Sequence, residues 1–504
     1  MVNRRNFLKL GLASGLLVKC LSKNIITGPD QKTNIILILS DDHSCKTISA
    51  LNKNSLIRTP GIDRIANEGI RFINAFVTNS LCEPSRASLL TGKYSAKHGV
   101  WKNWTRFNSD QFTFPKLLQQ TGYQTAIIGK WHLQTRPEGF NHFETLSGEG
   151  EQGYYYNPDF FESKSNSKVR HEGYVTNIIT DKAIDYLNNC DSNKPFFLMI
   201  GHKACHGSCM PDFQDLGMFD NLEIPLPNSF YDCNCDSQSQ IKNAINKISN
   251  LRLGYDLKAI PYESPETRRL LPEQKLMWND YYKKRILEFR ILSDSERCLP
   301  EIKYKWFMQD YLSCVASLDV NVSRLLDYLD SHNLADNTII IYMSDQGFFL
   351  GEHGLFDKQF MYEESIRFPL FIRYPKKIAP GSLNGNIVLN IDIAPTLLQL
   401  AGIEIPNEIQ GESFVRLFDC NYSPNWRNKM FYHFSDCRWA PKHYGIRTDR
   451  FKLIHFYDLG VWELYDLNND PYELRNIYNK PGNDDLVLLL KYKLDLLKIK
   501  YEGN

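Results

Sequence analysis

The stretch Asn34-Ile35-Ile36-Leu37-Ile38-Leu39-Ser40-Asp41-Asp42 places five consecutive aliphatic residues ahead of two carboxylates. An apolar run without polar alternation is expected of a strand covered on both faces, as in a parallel sheet between helices. Three further runs share the form: Gln124–Gly129, Phe196–Gly201 and Thr338–Ser344 each end in polar, potentially catalytic residues. Ligands of such sheets gather beyond the carboxyl ends of the strands, so these four ends are expected to meet. Helical patterns alternate with the runs. Thr59-Pro60 opens one by cap and first-turn proline, residues 180–189 read as another, and 311–329 are long and amphipathic. The βαβ rhythm predicts an α/β fold with a large, doubly wound, mostly parallel sheet flanked by helices.

Working outward, 504 residues accommodate more than one core. The expected organisation is a segment 1–29, a main domain 30–408 with an excursion near 209–303, and a C-terminal subdomain 409–504. In the excursion the rhythm lapses into polar, charged, proline-containing sequence. Asp392-Ile393-Ala394-Pro395-Thr396-Leu397 starts a helix. Short aromatic strands over 430–467 and a last helix near 484–498 then predict a smaller α+β domain built on a short antiparallel sheet.

The 59 basic and 58 acidic residues leave a net charge of +1, so no global field recruits nucleic acid or an anionic membrane. Twelve cysteines are too dilute for a disulfide scaffold. The pairs Cys205/Cys209 and Cys233/Cys235 lack the second pair that a structural zinc site needs. Arg4-Arg5-Asn6-Phe7-Leu8-Lys9 ahead of a short apolar stretch reads as an export signal, far too short to span a bilayer. It resembles a twin-arginine signal, which implies the twin-arginine or general export machinery as partner and a periplasmic or secreted protein with no stable membrane span. A lipid anchor on Cys20 is the alternative, disfavoured by Lys19 where a small residue is wanted.

The run Cys82-Glu83-Pro84-Ser85-Arg86-Ala87-Ser88-Leu89-Leu90-Thr91-Gly92 resembles the signature of the formylglycine-dependent (type I) sulfatases of the alkaline phosphatase superfamily, Cys-x-Pro-Ser-Arg with a Leu-Thr-Gly tail. The resemblance implies that a formylglycine-generating maturation enzyme oxidises Cys82 to formylglycine (3-oxoalanine), whose hydrate offers two hydroxyls on one carbon. Asp41 and Asp42 follow the first strand, and Asp345 and Gln346 follow the fourth. Adjacent buried carboxylates need a cation, and three carboxylates with a carboxamide oxygen suit a hard ion better than zinc. The family implies one calcium ion, with Cys82 in its modified form completing the set.

Gly122-Tyr123-Gln124-Thr125 ahead of Gly129-Lys130-Trp131-His132 resembles the second sulfatase signature. His206 aligns with the family's Pro-His-x-Pro histidine although Cys205 replaces the proline, which puts the loop's shape in question. Lys358 follows Asp345-Gln346-Gly347 at the family's spacing. The resemblance assigns Lys130 and Lys358 to the sulfate oxygens, His206 with Lys358 to protonating the leaving oxygen, and His132 to taking a proton from the second hydroxyl. Arg86 anchors the hydrate and the local turn. His202, Glu352 and His353 are expected to be structural or supporting. The segment 443–471 resembles the C-terminal part of bacterial polysaccharide sulfatases, and His443, Arg447 and Arg438 are speculative contacts to neighbouring sugars. The expected substrate is a sulfated glycan, either a glycosaminoglycan or an algal polysaccharide such as ulvan. Two alternatives stand beside it: a phosphate or phosphonate monoester hydrolase, disfavoured by Gln346 where those relatives place a histidine, and a glycan-binding pseudo-enzyme that is never matured.

Overall fold

The computed structural model describes residues 32–231, 240–297, 299–419 and 425–503. The export-signal segment, Cys20, Cys233 and Cys235 lie outside the described residues. Ten strands make the large sheet: β1 (Asn34–Ser40), β2 (Ile70–Phe72), β3 (Gln124–Gly129), β4 (His142–Ser147), β5 (Asp159–Glu162), β6 (Ser167–Arg170), β7 (Phe196–Gly201), β8 (Thr338–Ser344), β9 (Leu370–Arg373) and β10 (Ser382–Asn384). Their spatial order is β10-β2-β9-β8-β1-β7-β3-β4-β5-β6. The four runs read from sequence are the adjacent strands β8-β1-β7-β3, all parallel, so their carboxyl ends share one edge. Antiparallel strands occupy both flanks.

The unbroken apolar runs follow from burial on two sides. Ile35, Leu37 and Leu39 face one hydrophobic core, while Ile36 and Ile38 face the other. The helices that bear on the site are α1 (Pro60–Asn67), α2 (Cys82–Thr91), α3 (Val175–Asn189), α4 (Pro272–Ile291), α5 (Pro300–Ser331) and α6 (Asp484–Glu502). Pro60 opens α1 as expected, but its cap comes from another helix. Asp319 of α5 accepts hydrogen bonds from the amides of Gly61 (3.1 Å) and Ile62 (2.8 Å). The carboxylate thereby fills two orphan donors at the positive end of α1. That approach requires Gly61, because a Cβ there would lie 2.4 Å from Ser323 Oγ. Both α3 and α5 begin ahead of the predicted positions 180 and 311. In α5 the early turns carry Glu301, Lys303 and Lys305, which mask the apolar period although Tyr304, Trp306 and Phe307 are buried.

The excursion contains α4 and packs Ile248, Leu251, Leu257, Trp278 and Tyr282 into the same core as α5. It is tied down by a buried ionic cluster in which Lys258 and Arg285 both pair with Asp310 of α5 (3.0 and 2.9 Å). The C-terminal sheet is a meander of β11 (Lys429–Phe434), β12 (His443–Thr448), β13 (Phe451–Phe456) and β14 (Val461–Asp466). Its Phe431, Ile446 and Leu453 join Leu490 and Leu494 of α6 in the core that also holds Ile35. Residues Thr33–Asn504 form one compact unit. Among the described residues, no helix is long and apolar enough to cross a membrane.

Candidate active site

All ten residues of α2 are buried, so each polar group on it requires a partner inside the protein. Pro84 sits in the first turn, where a backbone donor would go unused. Ser85 Oγ donates to the carbonyl of Asp345. Arg86 donates through Nε and Nη2 to Asp345 Oδ2 (3.1 and 2.9 Å) and through Nη1 to the carbonyl of Lys130 (2.9 Å). The signature helix is thus fastened to the ends of β8 and β3, which presents Cys82 at the carboxyl edge of the sheet.

Around Cys82 the structure brings together residues from all four strand ends. Cys82 Sγ lies 3.7 Å from Asp41 Oδ1, and Gln346 Nε2 is 3.5 Å from the sulfur. Lys130 Nζ pairs with Asp41 Oδ2, and Lys358 Nζ donates to both oxygens of Asp42 (2.7 and 2.6 Å). His206 Nε2 stands 3.8 Å from Asp42 Oδ2. Its Nδ1 donates to the carbonyl of Gly207 (2.8 Å), so Nε2 is the nitrogen turned toward the carboxylates. The last turn of β1 is held from above, since Tyr311 of α5 donates to the carbonyl of Asp42 (2.8 Å).

Oxygens of Asp41, Asp42 and Asp345 lie within 4.8 Å of one another, all buried. Burial pushes the Asp345 carboxyl up to about 7, helped by Asp41 and opposed by Arg86. Burial likewise raises Asp42 to about 6, with Lys358 opposing and Asp41 adding to it. Burial also works against ionised Asp41, but Lys130, His206, Arg86 and Lys358 outweigh it and hold that carboxyl well below the usual range. Full ionisation of the three therefore calls for more positive charge than the chain supplies. Gln346 adds a second sign: its Nε2 donates to Asp42 Oδ1 (2.6 Å), while its Oε1 is buried without a hydrogen-bond partner. This all-oxygen donor set fits a hard divalent cation.

Both histidines are held neutral. Burial lowers His132 well below the ordinary imidazole value, and Lys130 and Arg86 lower it further. Burial lowers His206 too, with Asp41 pulling the other way. Burial pushes the Cys82 thiol up, despite Lys358 and Lys130 nearby. A thiolate is thus disfavoured at the position where a nucleophile must stand.

Reading the sequence missed Glu83. Its Oε1 lies 3.3 Å from His132 Nε2, and it accepts bonds from Gln134 Nε2 (3.0 Å) and the amide of Thr105 (3.0 Å). Glu83 occupies a position the signature leaves open, so no motif could point to it. Two of the three speculative sugar contacts do not converge on the site. His443 is a core residue, 0 % exposed, stacked among Phe360, Tyr432 and Phe434, with Nδ1 donating to the carbonyl of Pro441 (2.7 Å). Arg447 is buried against Glu363 (3.2 Å). Both expectations are corrected by packing on one face of the C-terminal sheet, where the segment carrying Phe360 and Glu363 covers the two side chains. Arg438 stays near the surface, paired with Asp436 and lying 4.8 Å over the ring of Trp104. Trp104 and Trp439 line a cleft of about 550 Å³ that also takes in Asp42, His206 and Lys358. His202 is buried and held down to about 3 by burial. Glu352 binds Lys46 Nζ (2.5 Å) and the amide of Leu350 (2.6 Å), a structural role.

Cations gathered beside buried carboxylates at the mouth of a parallel sheet suit the cleavage of an anionic ester, on a fold shared by the alkaline phosphatase superfamily. The chain belongs to the type I sulfatases of that superfamily: the sulfatase family profile matches residues 33–403, and that of the N-sulphoglucosamine sulphohydrolase C-terminal region matches 351–500. It is a sulfuric ester hydrolase. Among its relatives is an N-acetylglucosamine-6-O-sulfatase of Bacteroides thetaiotaomicron, 45 % identical over 95 % of this chain and 88 % of that protein. An arylsulfatase of Clostridium perfringens is 27 % identical over 89 % of this chain and 90 % of its own length. A solved sulfatase in complex with its substrate D-glucosamine-2-N,6-O-disulfate superimposes with a TM-score of 0.91 at 44 % identity, covering 94 % of this chain and 99 % of that one.

Proposed function

We propose that this sulfatase removes the 6-O-sulfate from a glucosamine-type sugar of a sulfated glycosaminoglycan, using formylglycine matured from Cys82 and one calcium ion. The observation that carries the reading is likeness along most of the chain, at 45 and 44 % identity, to a protein named for that sugar and that position and to a structure solved with a glucosamine 2-N,6-O-disulfate substrate. It favours the glycosaminoglycan over ulvan, for which the similar ulvan-active sulfatase of Formosa agariphila is 26 % identical.

Asp41, Asp42, Asp345 and Gln346 would hold the calcium ion, which when bound supplies positive charge to the carboxylates and orients the hydrate formed from Cys82. The chain's own cations are at present committed to these acids, Lys130 to Asp41, Lys358 to Asp42 and Arg86 to Asp345. Lys130 and Lys358 would neutralise sulfate oxygens once a metal compensated the acids, while Arg86 is locked by its three bonds. Fixed cations in a dry site stabilise the charge that develops on in-line attack at sulfur. His206 presents Nε2 toward the departing sugar oxygen. The sulfate it meets is an anion, which raises the proton affinity that burial has lowered and equips it as a general acid. His132, whose Nε2 lies 3.3 Å from Glu83, would accept the proton of the second hydroxyl.

Cys82 is 1 % exposed on a helix with no solvent face, so its oxidation has to precede folding. Export through the twin-arginine route would then carry an already modified protein to the periplasm or beyond, and precursor trapped inside the cell should contain formylglycine. The deciding experiment is the mass of the Cys82 peptide from protein made in its native host, read beside sulfate release from glucosamine 6-sulfate and from other sulfated sugars. Formylglycine with release from the 6-sulfate supports the reading. An unmodified thiol and no release would sink it and favour a glycan-binding protein.

A further inference from the structure

The sulfated sugar is one unit of a chain, and the cleft must let the following units out. Ser208 and Tyr255 line the cleft and also border a second cavity of about 610 Å³ built by the excursion. Arg252 lies 4.1 Å over the ring of Tyr255 at this border. Beyond it the cavity is lined by Tyr262, Trp278, Lys275, Lys283 and Arg290. Tyr262 is 54 % exposed, and Ile260 beside it is exposed as well. Large apolar groups scattered over a convex surface need no explanation, but gathered in a concavity they mark a binding surface.

The charge pattern narrows the ligand. Glu263 is the one carboxylate among the lining residues and is taken up by Lys275 (2.8 Å). Lys283 and Arg290 make no ion pair among the described residues. The surplus is local, since the whole chain carries only +1. Aromatic side chains and unpaired cations lining one cavity suit a molecule with apolar ring faces and anionic substituents, which describes a run of sulfated sugars. A solvated lysine and arginine alone would indicate nothing. Their place with an exposed tyrosine in the lining of one cavity, which begins where the catalytic cleft ends, is what carries the inference.

We propose that this trough binds the sugar residues following the one that reacts, so that the enzyme recognises a sulfated oligosaccharide and not only its terminal unit. The proposal rests on the reading of the cleft as a sulfated-sugar site. The test compares glucosamine 6-sulfate with a sulfated tetrasaccharide carrying the same residue at its non-reducing end, for the wild type and for Tyr262→Ala and Lys283→Glu. Both positions lie outside the catalytic cleft and on the surface, and thermal melting checks that each variant folds. The expected result is a wild-type KM lower for the tetrasaccharide. Each variant should raise that KM by about tenfold, worth about 1.4 kcal/mol, with kcat/KM for the monosaccharide unchanged. The Lys283→Glu effect should shrink as salt is raised. An active wild type whose variants leave the tetrasaccharide KM in place, or raise both KM values equally, refutes the trough while the reading of the cleft stands. A matured wild type inactive on the monosaccharide and on the tetrasaccharide refutes both.

Discussion

Replacing His443 with phenylalanine should leave catalysis intact and flatten the fall in stability on acidification. The ring is wholly buried among aromatics, and burial holds its imidazole down to about 3. The unfolded chain binds that proton at about 6.5. A histidine whose folded value is depressed contributes stability that is present above pH 6.5 and lost as the pH falls toward 3, because only the unfolded state takes up the proton. Integrated between pH 7 and pH 5, this one group removes about 2 kcal/mol. At pH 7 the substitution should be close to neutral. It loses the bond from Nδ1 to the Pro441 carbonyl, worth about 1 kcal/mol, but also removes Nε2, a buried atom with no partner. Urea unfolding of wild type and His443→Phe at pH 7 and pH 5, followed by tryptophan fluorescence, measures the difference. An acid-induced loss as large in the variant as in the wild type would refute the reasoning. So would a KM for sulfated sugar raised several-fold at unchanged stability, which would return His443 to the substrate.

Cys82→Ser offers one hydroxyl where the hydrate offers two, so sulfate release should fall by about 10³-fold or more in kcat, and any initial burst should be limited to one desulfated sugar per enzyme, with the sulfate left on the serine. Sustained turnover in a serine variant shown by mass to be unmodified would remove the need for the second hydroxyl. Arg86→Met strands the Asp345 carboxylate and the Lys130 carbonyl in a buried site, an expected cost of about 3–5 kcal/mol in denaturant unfolding, and Arg86→Lys should recover only part of it. Equal stability of all three would show that α2 is held by apolar packing alone. Chelation should abolish activity, and calcium should restore it better than zinc, because the donor set is entirely oxygen. Restoration by zinc alone would overturn the assignment of the ion.

The sheet was legible because its four central strands pay no attention to alternation: burial on both faces removes the polar half of the pattern, and what remains is a run of aliphatics with chemistry at its end. The positions of Asp41, Lys130, His206 and Asp345 at one edge follow from that topology. The signature at Cys82 was legible as a motif, but its form as a fully buried helix was not, because nothing local says that Arg86 will find its partners 44 and 259 residues away. The excursion resisted reading for the same reason, since the cations of Lys258 and Arg285 look like solvated charges until Asp310 of α5 is placed between them. His443 and Arg447 failed in the opposite sense. They are polar residues on short strands, where alternation predicts a wet face, and the segment carrying Phe360 and Glu363 covers the face that the pattern would leave open, opposite the one that packs on α6. Glu83 is the instructive remainder, because a signature specifies only the residues that all its bearers share. The carboxylate that sits 3.3 Å from His132 stands where the signature specifies nothing, and distance alone reveals it.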